Sequence, residues 1–295
     1  MPDGLMPLTP DAANAAGRAA TPAQPSPLEQ PYDVLLQTIR RRRSVRKFQP
    51  GRPVSRETLL RIMEAGRWAP SGANAQPWDF ICVDEPDVRE QVLHVFLRQG
   101  QRLLEHVTRF PAVNKSFLAH TSAIILVLGD HRWKAAFPQG NQAAWQDEYA
   151  ANNDNIFYCS LGAAIQNLQL ATTACGLTSA WLSGGGETRT AAELREILGY
   201  PASARPYGTI PIGYPAKEVG AKWRRPLEQM VHWNRFEPEQ YRPQPLIDFY
   251  VSQLRPFAMY RPFETIQEWE DAADRVGGWG LAFSSRVSNP GGKLP

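Results

Sequence analysis

The stretch RRRSVRKF, residues 41–48, follows an apolar helical pattern and concentrates positive charge early in the chain. It holds four arginines, one lysine and one serine hydroxyl within eight positions. Guanidinium groups bind phosphate oxygens through paired hydrogen bonds, and a hydroxyl adds one more donor. The alternation of residue types after Ser44 predicts that the chain leaves the helix and extends, so that its polar side chains point toward one target. A small phosphorylated ligand is one hypothesis for that target.

Two other interpretations of this basic stretch stay open at this point. Arginines at the end of a helix interact favourably with the helix dipole and are commonly just solvated. A short basic run can also be a localisation signal or a patch that binds nucleic acid. The stretch alone does not decide among the three, because most basic runs are ordinary surface.

The composition excludes several classes of protein. A chain of 295 residues is long enough for one large domain or two small ones, and a net charge of +3 is too mild for a general nucleic-acid binder. Cys82, Cys159 and Cys175 are far apart and form no CxxC pair. This spacing argues against a zinc site or a disulfide framework and predicts a reducing, cytoplasmic location. No apolar run reaches the roughly 18 residues that a membrane span needs.

Three regions differ in composition along the chain. Residues 1–30 are rich in alanine and proline and predict a disordered leader without the pattern of a secretory signal. Residues 31–235 predict one folded domain, and residues 236–295 predict a proline-punctuated extension. The expected helices are 31–43, 55–68, 88–120 with breaks at Gly100 and Pro111, 155–175, 190–198 opened by a capping box, 246–254 and 264–275. The expected strands are 79–83, 123–128, 179–182 and 207–212.

Two loops and a second basic cluster collect further binding groups. Residues 70–78, PSGANAQPW, form a sharp loop in which hydroxyl, amide and backbone donors are bunched. The glycine run 184–186 follows a short strand, so it is either a flexible loop or a place where a flat ligand approaches backbone amides. The fingerprint GxGxxG is absent, which excludes a Rossmann site. The basic cluster at 222–225 could meet the first one on a single phosphate.

Taken together, four motifs resemble the nitroreductase superfamily of FMN-dependent oxidoreductases. In order they are RRSVRKF at 42–48, PSGANAQPW at 70–78, WLSGG at 181–185, and KWRRPL at 222–227, the last followed by His232 and Trp233. Each motif alone is weak, whereas four in the family's order are specific. The resemblance covers roughly residues 32–235.

The resemblance implies an α+β fold: a three-layer sandwich with a mostly antiparallel sheet flanked by helices, in an intertwined homodimer with FMN at the subunit interface. It also implies a set of cofactor-binding residues. Arginines and Ser44 of the first motif would hold the phosphate and the pyrimidine edge, the second motif would reach the flavin from the other subunit, and backbone donors of the third would face its N4–N5 edge. The set is Arg42, Arg43, Ser44, Arg46, Pro70, Ser71, Gly72, Asn74, Gln76, Ser183, Gly184, Gly185, Lys222 and Arg224.

The chemistry that the resemblance implies belongs to the cofactor, with NAD(P)H as the electron donor. A cation near N1 of the flavin would favour reduction of the cofactor. Arg46 is the first candidate for this position, and Lys115 and Asn114 are weaker candidates. The family does not generally need a side-chain general acid, which agrees with the lack of a carboxylate pair or catalytic triad. We expect no metal site, and we interpret the five histidines as structural or surface residues.

Three functional hypotheses follow. The first is an FMN-dependent oxidoreductase that passes electrons from NAD(P)H to a nitroaromatic, a quinone or a similar flat acceptor. The second keeps the FMN fold for flavin destruction, reductive dehalogenation or oxidase-type dehydrogenation. The third is a nucleic-acid or anion-binding module built on the basic runs. Residues 94–152 are expected to shape substrate access, and residues 236–295 to wrap the domain or the partner subunit.

Overall fold

The computed structural model describes residues 29–106, 115–220, 224, 227–249 and 251. The chain divides into two units, Met1–Gln37 and Thr38–Pro295. The helices are α1 (Glu29–Arg41), α2 (Arg56–Arg67), α3 (Pro86–His106), α4 (Ala143–Ala174), α5 (Thr188–Leu198) and α6 (Gln244–Phe249), and the strands are β1 (Trp78–Val83), β2 (Ala123–Asp130), β3 (Thr178–Ser179) and β4 (Ala204–Gly213). Short 3₁₀ helices lie at Gly72–Asn74, Ser116–His120, His131–Ala136, Gly184–Gly186, Leu227–Gln229 and Pro238–Gln240.

The second unit contains a sheet with the strand order β1-β2-β4-β3, in which all neighbours are antiparallel. The central strand β2 is buried along its whole length. A strand whose side chains are buried on both faces needs a layer of structure on each side of the sheet. The apolar run that begins at Ala123 therefore dictates the layering.

Helices α2 and α4 cover one face of the sheet, and α3 and α5 cover the other. On the first face, Phe157, Leu161 and Ile165 of α4 pack against Ile125 and Val127 of β2. On the second face the alternate residues of β2 pack in the same way, within a cluster that includes Phe96, Ile124, Leu126, Leu128 and Leu194. These layers confirm the predicted α+β three-layer sandwich with an antiparallel sheet. The pairing of two subunits remains a prediction.

Several predicted helix boundaries are wrong for identifiable reasons. Helix α4 begins at Ala143 rather than at Asn155, because its first part is polar and exposed and gives no core signal. Gly100 lies inside α3 without breaking it, since one glycine costs a helix only about 1 kcal/mol. Helix α5 begins before Thr190, so that residue is not the expected helix cap.

Other local predictions are confirmed. The Ser55 side chain accepts a hydrogen bond from the Thr58 amide at 3.2 Å, as an N-cap does. Gly176 and Gly199 adopt φ values of 72° and 70° behind α4 and α5, where a side chain would be strained. The segment predicted as strand 179–182 is only partly a strand: β3 ends at Ser179, and Leu182 forms a single bridge to β4.

The described residues leave some predictions untested. Residues 1–28 of the expected leader, Pro111, and the helix expected at 264–275 lie outside them. Within the described part of the chain, no helix is long and apolar enough to cross a membrane.

Adjacent leucines of α2 test the assignment of the core. Leu59 is 1% exposed and Leu60 is 64% exposed. We expect Leu59→Ala to lower the free energy of unfolding by about 2–5 kcal/mol, because it removes buried methyl groups and leaves a cavity. The matched Leu60→Ala should change it by less than about 0.5 kcal/mol. Urea denaturation measures both, and equal effects would contradict the packing of α2.

Candidate functional site

The basic stretch near the start of the second unit is extended, as predicted, after Ser44. Its backbone runs between two distant segments: the Val45 amide donates to Ser179 O at 2.9 Å, and the Gln49 amide donates to Tyr214 O at 2.9 Å. Val45 and Phe48 are buried and anchor the stretch. Because these two side chains point inward, Arg46 and its neighbours are held on a fixed backbone.

Three arginines from two distant parts of the sequence come together beside this stretch. Arg43 Nε donates to Gly220 O at 3.2 Å, which brings the second basic segment to the first. Burial, followed by the positive charge of Arg224, lowers the pKa of both Arg42 and Arg43; Arg43 lowers that of Arg42 further. We call Arg42, Arg43 and Arg224 the guanidinium cluster. Like charges held this close repel one another, so the cluster favours a multiply charged anion.

Lys222, which was predicted to join Arg224 at the phosphate, lies outside the described residues. So does Asn114, one of the candidates for a position near flavin N1. Their predicted roles are not tested by the described contacts.

A second pair of cations involves Arg46 and the buried Lys115. Burial lowers the pKa of Lys115, and Arg46 lowers it further, whereas the carboxylate of Glu187 opposes both effects. Arg46 and Lys115 therefore place two positive charges near each other, with one carboxylate nearby. Glu187 follows the glycine run directly, so this pair lies close to the third motif.

The glycine run Gly184–Gly186 is a tightly packed turn. A Cβ atom at Gly184 would lie 2.5 Å from Gln99 Nε2, one at Gly185 would lie 2.7 Å from Thr209 Oγ1, and one at Gly186 would lie 2.8 Å from Pro206 O. Real Cβ atoms essentially never approach so closely, so a side chain would have to displace Gln99 at the first position, Thr209 at the second and the backbone itself at the third. The chain's own α3 and β4 thus explain the glycines.

The same turn presents backbone donors. Leu182 exchanges two hydrogen bonds of 2.9 Å with Thr209, which fixes the chain just before the turn. Among the hydrogen bonds of the described residues, none is donated by the backbone N–H of Ser183, Gly184 or Gly185. The first N–H groups of a helical turn have no partner within it. They are therefore available to an acceptor outside the turn.

The second motif forms a strained loop. Ala73, Asn74 and Gln76 have φ values of 50°, 51° and 45°, in the left-handed region that residues with a side chain seldom adopt. Ser71 stabilises the loop by accepting a hydrogen bond from the Gln76 amide at 3.0 Å. Gly72 lies against Ile156 of α4, and no side chain would fit there. Strain of this kind is concentrated at functional sites.

The site residues fall into two separate groups within one chain. The loop of Ser71 and Gly72 packs on α4, and the Gly72 amide donates to Ser160 Oγ at 3.2 Å. The glycine turn instead packs on Gln99 of α3, on the opposite face of the sheet. The structure thus brings the basic stretch, Arg224 and the turn to neighbouring positions, but not Pro70, Ser71, Gly72, Asn74 and Gln76.

Sequence reasoning missed two residues that hold the glycine turn. Gln99 is buried in the apolar face of α3, and its Nε2 donates to Glu187 Oε1 at 2.6 Å. A glutamine among the apolar positions of a helix was the signal that could have identified it, because a buried amide needs a partner. Nothing in the sequence pattern pointed to Glu187 as that partner.

The comparisons with known proteins decide the family. The model of the Nitroreductase family matches residues 39–214, a span that includes the basic stretch, the strained loop and the glycine turn. The chain belongs to the nitroreductase family. The resemblance drawn from the four motifs is therefore confirmed.

Relatives of this nitroreductase-family chain carry different names. A protein of Thermus thermophilus named NADH dehydrogenase is 32% identical over 203 residues, covering 65% of this chain and 92% of its own length. Iodotyrosine deiodinase of Nematostella vectensis is 27% identical over 210 residues, covering 66% of this chain and 72% of its own length. A crystal structure of iodotyrosine deiodinase bound to FMN and 3-iodo-L-tyrosine has a TM-score of 0.54 at 23% identity, covering 68% and 100% of the two chains, and shares the fold.

The strained loop generates a prediction with an internal control. Ala73→Gly should be neutral or should raise the free energy of unfolding by up to about 1 kcal/mol, because glycine adopts a positive φ without strain. Ala75 has a φ of −67° and is buried, so Ala75→Gly should destabilise by about 1 kcal/mol. Thermal unfolding compares the two variants. A loss of stability in Ala73→Gly equal to that in Ala75→Gly would contradict the left-handed conformation.

Proposed function

We propose that this protein is an FMN-dependent NAD(P)H oxidoreductase that reduces a nitroaromatic, a quinone or a similar flat acceptor. The observation that carries the proposal is the guanidinium cluster in a chain of the nitroreductase family. Arg42 and Arg224 are far apart in sequence, and the repulsion between their positive charges lowers the stability of the fold. The dianionic phosphate of FMN offsets that repulsion.

The residues around the turn fit the flavin ring. Ser183, Gly184 and Gly185 offer backbone N–H groups to the acceptor atoms at one edge of the ring, and Arg46 with Lys115 offers positive charge toward its pyrimidine edge. Some of the buried polar atoms without a hydrogen-bond partner also lie here. Among the described residues, Gln99 Oε1, Ser179 Oγ and Thr209 Oγ1 are such atoms, and they flank the first and third motifs.

When bound, FMN would supply the hydride and electron transfer between NAD(P)H and the acceptor. The contribution of the chain is electrostatic. Arg46 and Lys115 would hold positive charge at the pyrimidine edge of the flavin, which would favour the reduced cofactor over the oxidised one. No side chain has to transfer a proton for this step, so we assign no catalytic acid.

A second copy of the chain completes the proposed site. The strained loop packs on α4 and the glycine turn on α3, on opposite faces of one sheet, and this separation favours a site to which two chains contribute. We therefore propose a homodimer in which Pro70, Ser71 and Asn74 come from the other subunit. Large apolar side chains that are exposed to solvent support the proposal, because a second subunit would bury them. Those more than half exposed are Tyr32 and Leu35 of α1 and Trp233, Phe236 and Tyr241 after β4.

The domain limits follow from the same proposal. Residues 31–235 would form the FMN-binding domain, and residues 236–295 would wrap the domain or the partner subunit. The exposed aromatic side chains of Phe236 and Tyr241, at the start of that extension, support this arrangement because a partner surface would cover them.

Reductive dehalogenation of an aromatic substrate is the second candidate. The observation that favours it is the 27% identity to the deiodinase of Nematostella vectensis. It uses the same flavin site and differs only in the acceptor. Anaerobic turnover with a halogenated phenol, compared with a nitroarene, separates the two candidates.

The first test is the visible absorption spectrum of the dialysed protein, before and after anaerobic addition of NADPH or NADH. We expect a flavin spectrum that bleaches with at least one of the two donors. A flavin that stays oxidised with both would contradict the NAD(P)H oxidoreductase. A protein that neither contains flavin nor binds added FMN would refute the cofactor assignment.

Variants of the guanidinium cluster test the phosphate contact. Arg42→Ala and Arg224→Ala should each weaken FMN binding about 10- to 100-fold, because hydrogen bonds to a charged group are worth about 1.5–3 kcal/mol. Binding of riboflavin, which lacks the phosphate, should stay the same. The control Arg61→Ala removes an exposed arginine of α2. Fluorescence titration measures each affinity, and equal losses for FMN and riboflavin would refute the assignment.

A further inference from the structure

Gln99 is a buried amide on the face of α3 that packs against the glycine turn. It is 2% exposed, and Phe96, one turn earlier on α3, is fully buried near the same segment. Its Nε2 atom donates to Glu187 Oε1 at 2.6 Å, at the end of the turn. The same Nε2 atom lies 2.5 Å from where a Cβ of Gly184 would be, at the beginning of the turn. One nitrogen thus lies beside Gly184, where the turn begins, and bonds to Glu187, the residue that follows the turn.

Glu187 is fixed by its backbone as well as by its side chain. Its carbonyl accepts from the Ala191 amide at 2.7 Å and so begins α5. Its second carboxylate oxygen accepts from Thr190 Oγ1 at 3.3 Å, and Arg102 donates to that hydroxyl at 2.9 Å. The carboxylate therefore links α3 to the start of α5. Any shift of Glu187 moves the turn that precedes it.

The energetics indicate that Gln99 is not there for packing. Burying an amide costs free energy unless it is hydrogen-bonded, and Gln99 Oε1 has no partner among the described residues. A leucine at this position of α3 would fill similar space without leaving a buried oxygen unsatisfied. What only the amide provides is a short donor to an ionised carboxylate, which is a strong hydrogen bond.

We propose that Gln99 is a positioning residue of the flavin site: by holding Glu187, it fixes the orientation of the backbone N–H groups of Ser183, Gly184 and Gly185. This inference rests on the proposed function, in which those N–H groups face the flavin. Donors that are fixed before the ligand arrives need no reorganisation during the reaction. In this proposal Gln99 acts through Glu187 and not through contact with the ring.

The first experiment uses hydrogen exchange in the protein freed of flavin. Gln99→Leu should speed exchange of the Gly186 and Glu187 amides, which donate to Ser183 O and Gly184 O, about tenfold or more, because it removes a hydrogen bond to a charged group that holds the turn. Peptides from β2 should exchange as in the wild type. Gln101→Leu is the matched control, since Gln101 lies on the same helix and its Nε2 donates to Glu105 at 2.8 Å on the surface.

The second experiment reverses the hydrogen-bonded pair. Gln99→Glu alone would place two carboxylates at hydrogen-bond distance. It should raise the rate of amide exchange in the turn more than Gln99→Leu does. Combined with Glu187→Gln it provides a donor and an acceptor again, with their positions exchanged. We expect the double variant to recover most of the wild-type exchange rate. If the turn amides of the double variant exchange as fast as those of Gln99→Glu, the proposal is overturned. This comparison holds even if the single variants fold poorly.

The third experiment separates cofactor binding from hydride transfer in the flavin-loaded protein. Gln99→Leu should slow flavin reduction by NADPH or NADH about tenfold in a single turnover. FMN affinity should change less than about threefold, because Arg42, Arg43 and Arg224 are untouched. Unchanged reduction and unchanged exchange, as in Gln101→Leu, would overturn the positioning role alone. Failure of the wild type to bind FMN would overturn the proposed function and this role with it.

Discussion

The burial of strand β2 on both faces is the constraint on which the rest of the structure depends. From Ala123 to Asp130 every residue is buried, so the sheet needs helices on both sides. Helix α4 covers one face and α3 the other. The strained loop is consequently held on one side of the sheet and the glycine turn on the other. The layered core thus separates two of the proposed flavin-binding motifs. The simplest arrangement in which both contact one flavin is a dimer, where the second copy of the chain supplies the strained loop.

Electrostatics account for the remaining part of the proposed site. Bringing Arg42, Arg43 and Arg224 together costs free energy, because burial and mutual repulsion both disfavour their charged forms. The fold tolerates this cost, since Val45 and Phe48 anchor the first motif and the bond from Arg43 to Gly220 holds the second segment beside it. Unlike a pair such as Arg56 and Asp84, the cluster consists of like charges. The repulsion within the cluster favours an anion bound beside it.

The sequence predicts the layers better than it predicts the contacts between them. The unbroken apolar run of β2, the cap at Ser55 and the glycine stops at Gly176 and Gly199 are local signals, and the structure agrees with each. The predicted start of α4 was wrong because the residues from Ala143 to Asp154 are mostly exposed and rich in polar residues and alanine, so they resemble a surface loop as much as a helix. The meeting of Arg42 with Arg224 could only be a hypothesis. It depends on a long-range path through the fold, which no local pattern encodes.

The glycine run shows why a motif can be located correctly while its physical cause stays hidden. In the sequence, GGG allows either flexibility or close approach of a ligand. In the structure, the space that side chains would need is occupied by Gln99, Thr209 and the carbonyl of Pro206, so the glycines first serve a tight contact within the chain. Such packing makes the turn rigid, and a rigid turn presents its backbone donors in one orientation. Rigidity of the turn therefore serves both the packing of the fold and the fixed backbone donors that a flavin-binding edge requires. The residues that impose this rigidity belong to α3 and β4 rather than to the motif.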